Sequence, residues 1–75
     1  MTEQEMMRNF ARAIAGWREK LNMNAEAFAE YIGISRATLY NYESGRCMPQ
    51  LYTAAVIAKR LGTPLDDLIR RHPHA

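Results

Sequence analysis

Only Gly33-Ile34-Ser35 separates Ile32, the last apolar position of one short helical run, from Arg36, the first residue of the next. A connection this short, with a glycine in it, makes two helices cross steeply instead of lying side by side. Gly33 can take the left-handed conformation that ends a helix without a side-chain clash. Ser35 is a good N-cap for the helix after it. Ile34 between them is apolar and can fill the angle where the two helices meet. The second helix then stands out from the body by its first turn. Because 75 residues support one modest core, the rest of the chain has to be built around this corner.

The remaining punctuation predicts five helices and no strand, an all-α domain over residues 1–71 with a frayed tail at 72–75. Thr2 and Glu5 have the spacing of a capping box. Phe10, Ala13, Ile14, Trp17 and Leu21 follow at the spacing of one buried helical face, which Met6 and Met7 extend. Gly16 falls inside this helix, where it costs about 0.5–1 kcal/mol against alanine and implies room for a close neighbour. Asn24 caps a second helix with Phe28, Ala29 and Ile32 inward. The third turns Leu39 and Tyr42 inward and closes at Gly45. Pro49 suits the first turn of a fourth, with Ala54, Ile57, Ala58 and Leu61 inward and Gly62 at its end. Thr63-Pro64-Leu65-Asp66 reads as a hydroxyl cap, a proline at the first position and an acid at the third. A last helix with Leu65, Leu68 and Ile69 on its apolar side follows. Trp17 and Tyr31 are expected in the core or at its margin, and Tyr52 outside.

Composition excludes more than it assigns. The start is acidic and lacks the basic flank of a secretory signal. No apolar run approaches the roughly 20 residues of a membrane span. The single cysteine, Cys47, cannot form an internal disulfide and fits a reducing cytoplasm. Cys47 beside Arg46 reads as an incidental loop cysteine, and His72 with His74 do not complete a metal site. There is no glycine-rich phosphate loop, paired-carboxylate pocket or Ser/His/Asp set, so an enzyme is not expected and no cofactor is implied. Net charge is only +2, but it is unevenly spread: between Glu30 and Asp66 the only acid is Glu43, against Arg36, Arg46, Lys59 and Arg60. Such a stretch can present a positive face to phosphates.

Helical spacing puts Arg36, Ala37, Tyr40 and Asn41 on the face opposite Leu39 and Tyr42. Arginine can donate two bonds to guanine, asparagine can pair with adenine through a donor and an acceptor, and Tyr40 can cover a thymine methyl or reach a phosphate. Many helical hairpins share the helix–glycine–helix pattern, and in those Arg36 and Asn41 are merely solvated.

The run from Arg18 to Ile69, about two-thirds of the chain, resembles the phage-repressor/Cro-type (Xre-like, lambda-repressor-like) helix-turn-helix family. The resemblance rests on Arg18-Glu19, Met23-Asn24, Phe28-Ala29, Ile32-Gly33-Ile34-Ser35, Thr38-Leu39 and Tyr42-Glu43-Ser44-Gly45, with no gap among them. It continues through Pro49, Ile57-Ala58, Leu61-Gly62 and Leu65-Asp66-Asp67-Leu68-Ile69. It implies a compact five-helix domain whose second and third helices bind double-stranded DNA as a cytoplasmic transcriptional regulator, a repressor in the first instance. It implies Arg36, Ala37 and Asn41 at base edges, with Thr38 and Tyr40 near the backbone or groove wall. With the helical spacing, Tyr40 joins the expected base-reading set, and Asn24, Ser35, Thr38 and Arg46 are the expected phosphate contacts. Arg18 and Glu43 match a structural ion pair that ties the first helix to the end of the third. The family usually has glutamine where this chain has Ala25, which can neither touch phosphate nor brace the start of the third helix. Two functions compete. One is a homodimeric regulator that meets through the last helix and the end of the fourth. The other is a protein-interaction module, or the DNA-binding antitoxin of a toxin–antitoxin pair, against which the lack of a separate toxin-wrapping tail counts.

Overall fold

The computed structural model describes residues 1–70, and the tail expected at 72–75 lies outside them. The helices are α1 (Glu3–Lys20), α2 (Ala25–Ile32), α3 (Arg36–Glu43), α4 (Leu51–Leu61) and α5 (Leu65–Ile69), with no strand among the described residues. α1 starts where the capping box places it: the Thr2 amide donates to Glu5 Oε1 at 2.7 Å, and the Glu5 amide donates to Thr2 Oγ1 at 3.1 Å. The helix forms a spine against which α3 and α5 pack; α2 lies on α3 and α4, and α4 on α5.

Among the described residues seven side chains are fully buried, and every helix supplies at least one: Phe10 and Ile14, Phe28 and Ile32, Leu39, Ile57, and Leu68. Ala13, Ala29, Tyr42, Ala58 and Leu61 complete the cluster, with Trp17, Leu21, Met23, Ile34, Leu65 and Ile69 against its edge. The Tyr42 ring meets Phe10 edge-on at 5.4 Å between centroids, a favourable arrangement for two aromatics. Tyr31, expected in the core or at its margin, is instead 42% exposed.

The first four helices end alike. A left-handed residue lies one or two positions past each: Gly33 and Gly62 directly after α2 and α4, Asn22 and Gly45 one residue further on after α1 and α3. In each case the next amide reaches back to a carbonyl five residues earlier: Met23 to Arg18, Ile34 to Ala29, Arg46 to Asn41 and Thr63 to Ala58. This satisfies carbonyls that a helix end leaves without partners, and it reverses the chain sharply. Asn22 serves where the sequence has no glycine, since asparagine tolerates this conformation better than most residues.

Three local expectations need correction. Pro49 precedes α4 instead of starting it, because Gln50 stays extended (ψ 160°) and becomes the cap, without a side-chain hydrogen bond. Thr63 does not cap α5; Pro64 holds that place, and Thr63 is used to close α4. Gly16 makes no room for a neighbour: a methyl group there would meet nothing within 4 Å.

Two predictions follow from this packing. Gly16→Ala should stabilise the domain by about 0.5–1 kcal/mol, seen as a rise of about 2–8 °C in melting temperature; an unchanged or lower value would contradict the open surroundings. Burial pushes the Tyr42 phenol above its usual range, and charge at Cys47 adds to the effect. The folded state thus favours the neutral phenol, so this contribution is intact below pH about 10 and is lost as pH rises beyond it. Denaturant titrations from pH 8 to 11 should show stability falling at the alkaline end, with a shallower fall in Tyr42→Phe.

Candidate nucleic-acid interface

α3 is an eight-residue helix, too short to persist alone in water, so its placement depends on what holds each end. At the start, the Ser35 hydroxyl accepts from the Thr38 amide at 3.1 Å and donates to Thr38 Oγ1 at 2.8 Å. In the middle, Leu39 and Tyr42 are sunk in the core. At the end, Gly45 (φ 75°) turns the chain so that the Arg46 amide bonds Asn41 O at 3.0 Å.

The last turn is also tied to α1. Arg18 Nε donates to Glu43 Oε2 at 2.8 Å and its second nitrogen donates to Glu43 Oε1 at 3.1 Å, a two-pronged pair. The side chains are 29% and 21% exposed, so water screens the pair only in part. The carboxylate raises the Arg18 guanidinium further above its ordinary value by hydrogen bonding and by charge. Through this pair the one acid of the Arg36–Arg60 stretch has its charge met by a neighbouring cation.

The residues expected at base edges fall on the outer side of this helix. Arg36 and Ala37 are exposed at its first turn, Tyr40 is 62% exposed, and Asn41 is half-buried. Among the described residues, neither the Arg36 guanidinium nor the Asn41 side-chain amide has a hydrogen-bond partner, so both retain their donors. Arg36 borders a hollow between α2 and α3 that Glu26, Ala29, Glu30 and Ile34 also line. Of the residues expected at phosphates, Asn24 caps α2 through Oδ1, which accepts from the Ala27 amide at 2.8 Å. Its Nδ2 has no partner among the described residues. Thr38 is half-buried, with its hydroxyl engaged by Ser35. Arg46 is exposed in the loop after α3. Ala25, at the first position of α2, packs against the core edge.

Two contacts escaped the sequence reading. The Arg60 guanidinium from α4 lies over the turn, 3.5 Å from where a side chain on Gly33 would begin, and donates to Tyr31 O at 3.5 Å. It places a cation at the carbonyl end of α2, where the helix dipole favours one. Arg46 also lies over the Tyr40 ring, 5.7 Å from its centroid. Both pairings join separate elements or run around a helix end, so no local spacing announces them.

The Arg18–Glu43 pair generates a prediction. Arg18→Ala or Glu43→Gln should each destabilise the domain by about 1–2 kcal/mol, more than an ordinary surface pair and less than a buried one. The double variant should cost less than the two single effects added together. Strict additivity in urea titrations would mean the two groups do not interact in solution.

Comparison with known proteins agrees with this geometry. A helix-turn-helix family model matches residues 14–68. The chain is similar to a transcriptional repressor, RstR, of the cryptic phage CTXphi from Vibrio cholerae: 33% identical over 60 residues, covering 80% of this chain and 54% of that protein. It is also 35% identical over 54 residues to the HTH-type transcriptional regulator AnsR of Bacillus subtilis, covering 72% and 47% of the two chains. An HTH-type transcriptional regulatory protein of Methanococcus vannielii is 37% identical over 54 residues, covering 72% of this chain and 16% of that protein. The chain thus spans about half or less of the length of these relatives. No solved structure matches it at comparable significance. The matched span contains all of α2, α3 and α4 and the corner between α2 and α3, and the chain belongs to the helix-turn-helix family of the phage-repressor/Cro (Xre-like, lambda-repressor-like) type.

Proposed function

We propose that this domain is a sequence-specific double-stranded DNA-binding regulator of transcription, a repressor in the first instance, that places the start of α3 in the major groove. The observation that carries the reading is the state of α3. One side is consumed by the core, and the other presents Arg36, Ala37, Tyr40 and Asn41 with the polar groups of Arg36 and Asn41 uncommitted. Arginine at guanine and asparagine at adenine are the pairings these groups can make. Asn24, Ser35, Thr38 and Arg46 are the residues that reach phosphates in this reading. Asn24 and Ser35 each cap a helix, whose first amides and dipole attract an anion. The role is one of binding, not catalysis, and belongs in the cytoplasm with the nucleoid. Residues 1–71 act as the DNA-binding unit.

A homodimer is the form that sets two such helices about 34 Å apart, one turn of the duplex. Of the surface expected for it, Leu68 is fully buried and Leu65 and Ile69 are partly buried against the core. Sedimentation on operator-length DNA decides the stoichiometry, and a monomer at saturation would end the dimer reading.

One observation favours a second reading, a protein partner such as a toxin. Leu51 and Tyr52, adjacent at the start of α4, are 76% and 80% exposed. A partner that covers them would co-purify with the native protein and be lost with Leu51→Ser/Tyr52→Ser.

Fluorescence anisotropy with a generic ~30-bp duplex should show affinity of about 10⁻⁴–10⁻⁶ M that falls steeply as salt rises. Arg36→Ala/Asn41→Ala should weaken binding to the cognate site by about 1–3 kcal/mol per lost base contact and change generic-duplex binding far less. Absence of binding at ~50 mM salt would contradict the phosphate contacts this reading needs.

A further inference from the structure

Arg46 and Tyr40 are related in a way that the assignment of one to phosphate and the other to bases does not capture. The backbone of Arg46 is held by the reverse turn after α3, through its amide bond to Asn41 O at 3.0 Å. Its guanidinium lies over the Tyr40 ring, 5.7 Å from the centroid, within the range at which a cation is attracted to an aromatic face. Tyr40 projects from the outer side of α3, one turn before that end, and is 62% exposed. A ring with a guanidinium against it does not enter a groove as a free aromatic. It acts instead as a platform that narrows the range of a long, flexible side chain before any ligand arrives.

We propose that Tyr40 is a positioning residue and not a base reader: its ring holds the Arg46 guanidinium beside the end of α3, ready for a DNA phosphate. This rests on the DNA-binding reading above and changes the role of one residue within it. An arginine held by its backbone at one end and by a ring at the other loses less freedom when it grips a phosphate oxygen. The stack needs the ring and not the hydroxyl, so Tyr40→Phe retains the function and Tyr40→Leu removes it. The effect is independent of base sequence, because a phosphate contact carries no sequence information directly.

The test combines two measurements. In the free protein, NMR of the Arg46 side chain should show its δ and ε protons displaced by the ring current in wild type and in Tyr40→Phe, and undisplaced in Tyr40→Leu. An undisplaced resonance in wild type overturns the proposal without reference to DNA. On DNA, Tyr40→Leu should weaken binding about two- to five-fold, the scale of an exposed cation–aromatic contact. The loss should be equal on generic and cognate duplexes, while Tyr40→Phe stays within error of wild type. Arg46→Ala should lower the salt slope by about 0.9, and adding Tyr40→Leu to it should cost nothing more. A loss in Tyr40→Phe, a loss confined to the cognate sequence, or additive effects of Tyr40→Leu and Arg46→Ala would each return Tyr40 to the base-reading face and overturn the proposal. If wild type binds no duplex while the ring-current shift is present, the DNA-binding reading itself fails and the phosphate role fails with it.

Discussion

The architecture turns on the left-handed residue between α2 and α3. With Gly33 at φ 86°, the Ile34 amide returns to Ala29 O at 2.9 Å, the Ile34 side chain drops against the core, and Ser35 arrives extended in position to cap α3. A residue with a side chain would be strained there, because its Cβ crowds the following carbonyl. The direction of α3 relative to α2, and hence which of its residues face outward, follows from this one dihedral. Arg60 reinforces the corner from α4 by lying across it, which links the turn to a part of the chain nearly thirty residues away.

A helix offered to a ligand has little core of its own. α3 buries only Leu39 and Tyr42, so its stability is borrowed at both ends. Ser35 and Thr38 hold the start, and the Arg46 return bond with the Arg18–Glu43 pair holds the finish. α1 supplies the rigid side of these arrangements, since Phe10 and Ile14 lie at the centre of the core and Arg18 reaches over to α3. With seven fully buried side chains shared by five helices, emptying any one, about 2–5 kcal/mol for a leucine or isoleucine cut to alanine, is comparable with the whole stability of a small domain. The small core explains why polar ties at helix ends carry so much of the positioning. Asn9 does the same for α5, donating through Nδ2 to Ile69 O, the last carbonyl of the helix, at 3.1 Å.

The electrostatics divide along the same line. The pairing of Glu43 leaves Arg36 and Arg46 as charged groups at the two ends of α3, with Tyr40 between them. Glu26 and Glu30 sit across the hollow from Arg36, so the acidic side of α2 bounds the basic surface on one flank. Arg36 and Arg46 thus give the α3 side a positive surface, a charge distribution that attracts polyanions.

Five helices, their inward faces and most of their ends were legible from the residues alone, because caps, left-handed stops and apolar spacing are local chemistry. Thr2 with Glu5, Asn24, Ser35, Gly33 and Gly62 act within three to five residues of themselves, and no distant contact is needed to specify them. The misreadings have the same origin in reverse. Thr63 could serve either the end of α4 or the start of α5, and only the path of the chain between them chose the former. The apolar side of α5 was read as a partner surface; packing takes Leu68 from it into the core, while Leu65 and Ile69 stay partly exposed. What tertiary structure alone decided was the set of contacts between residues far apart or around a bend: Arg60 on the corner, Asn9 on α5, and Arg46 on Tyr40. No sequence period relates these positions: packed helices bring Arg60 and Asn9 to their acceptors, and the turn after α3 brings Arg46 to the Tyr40 ring.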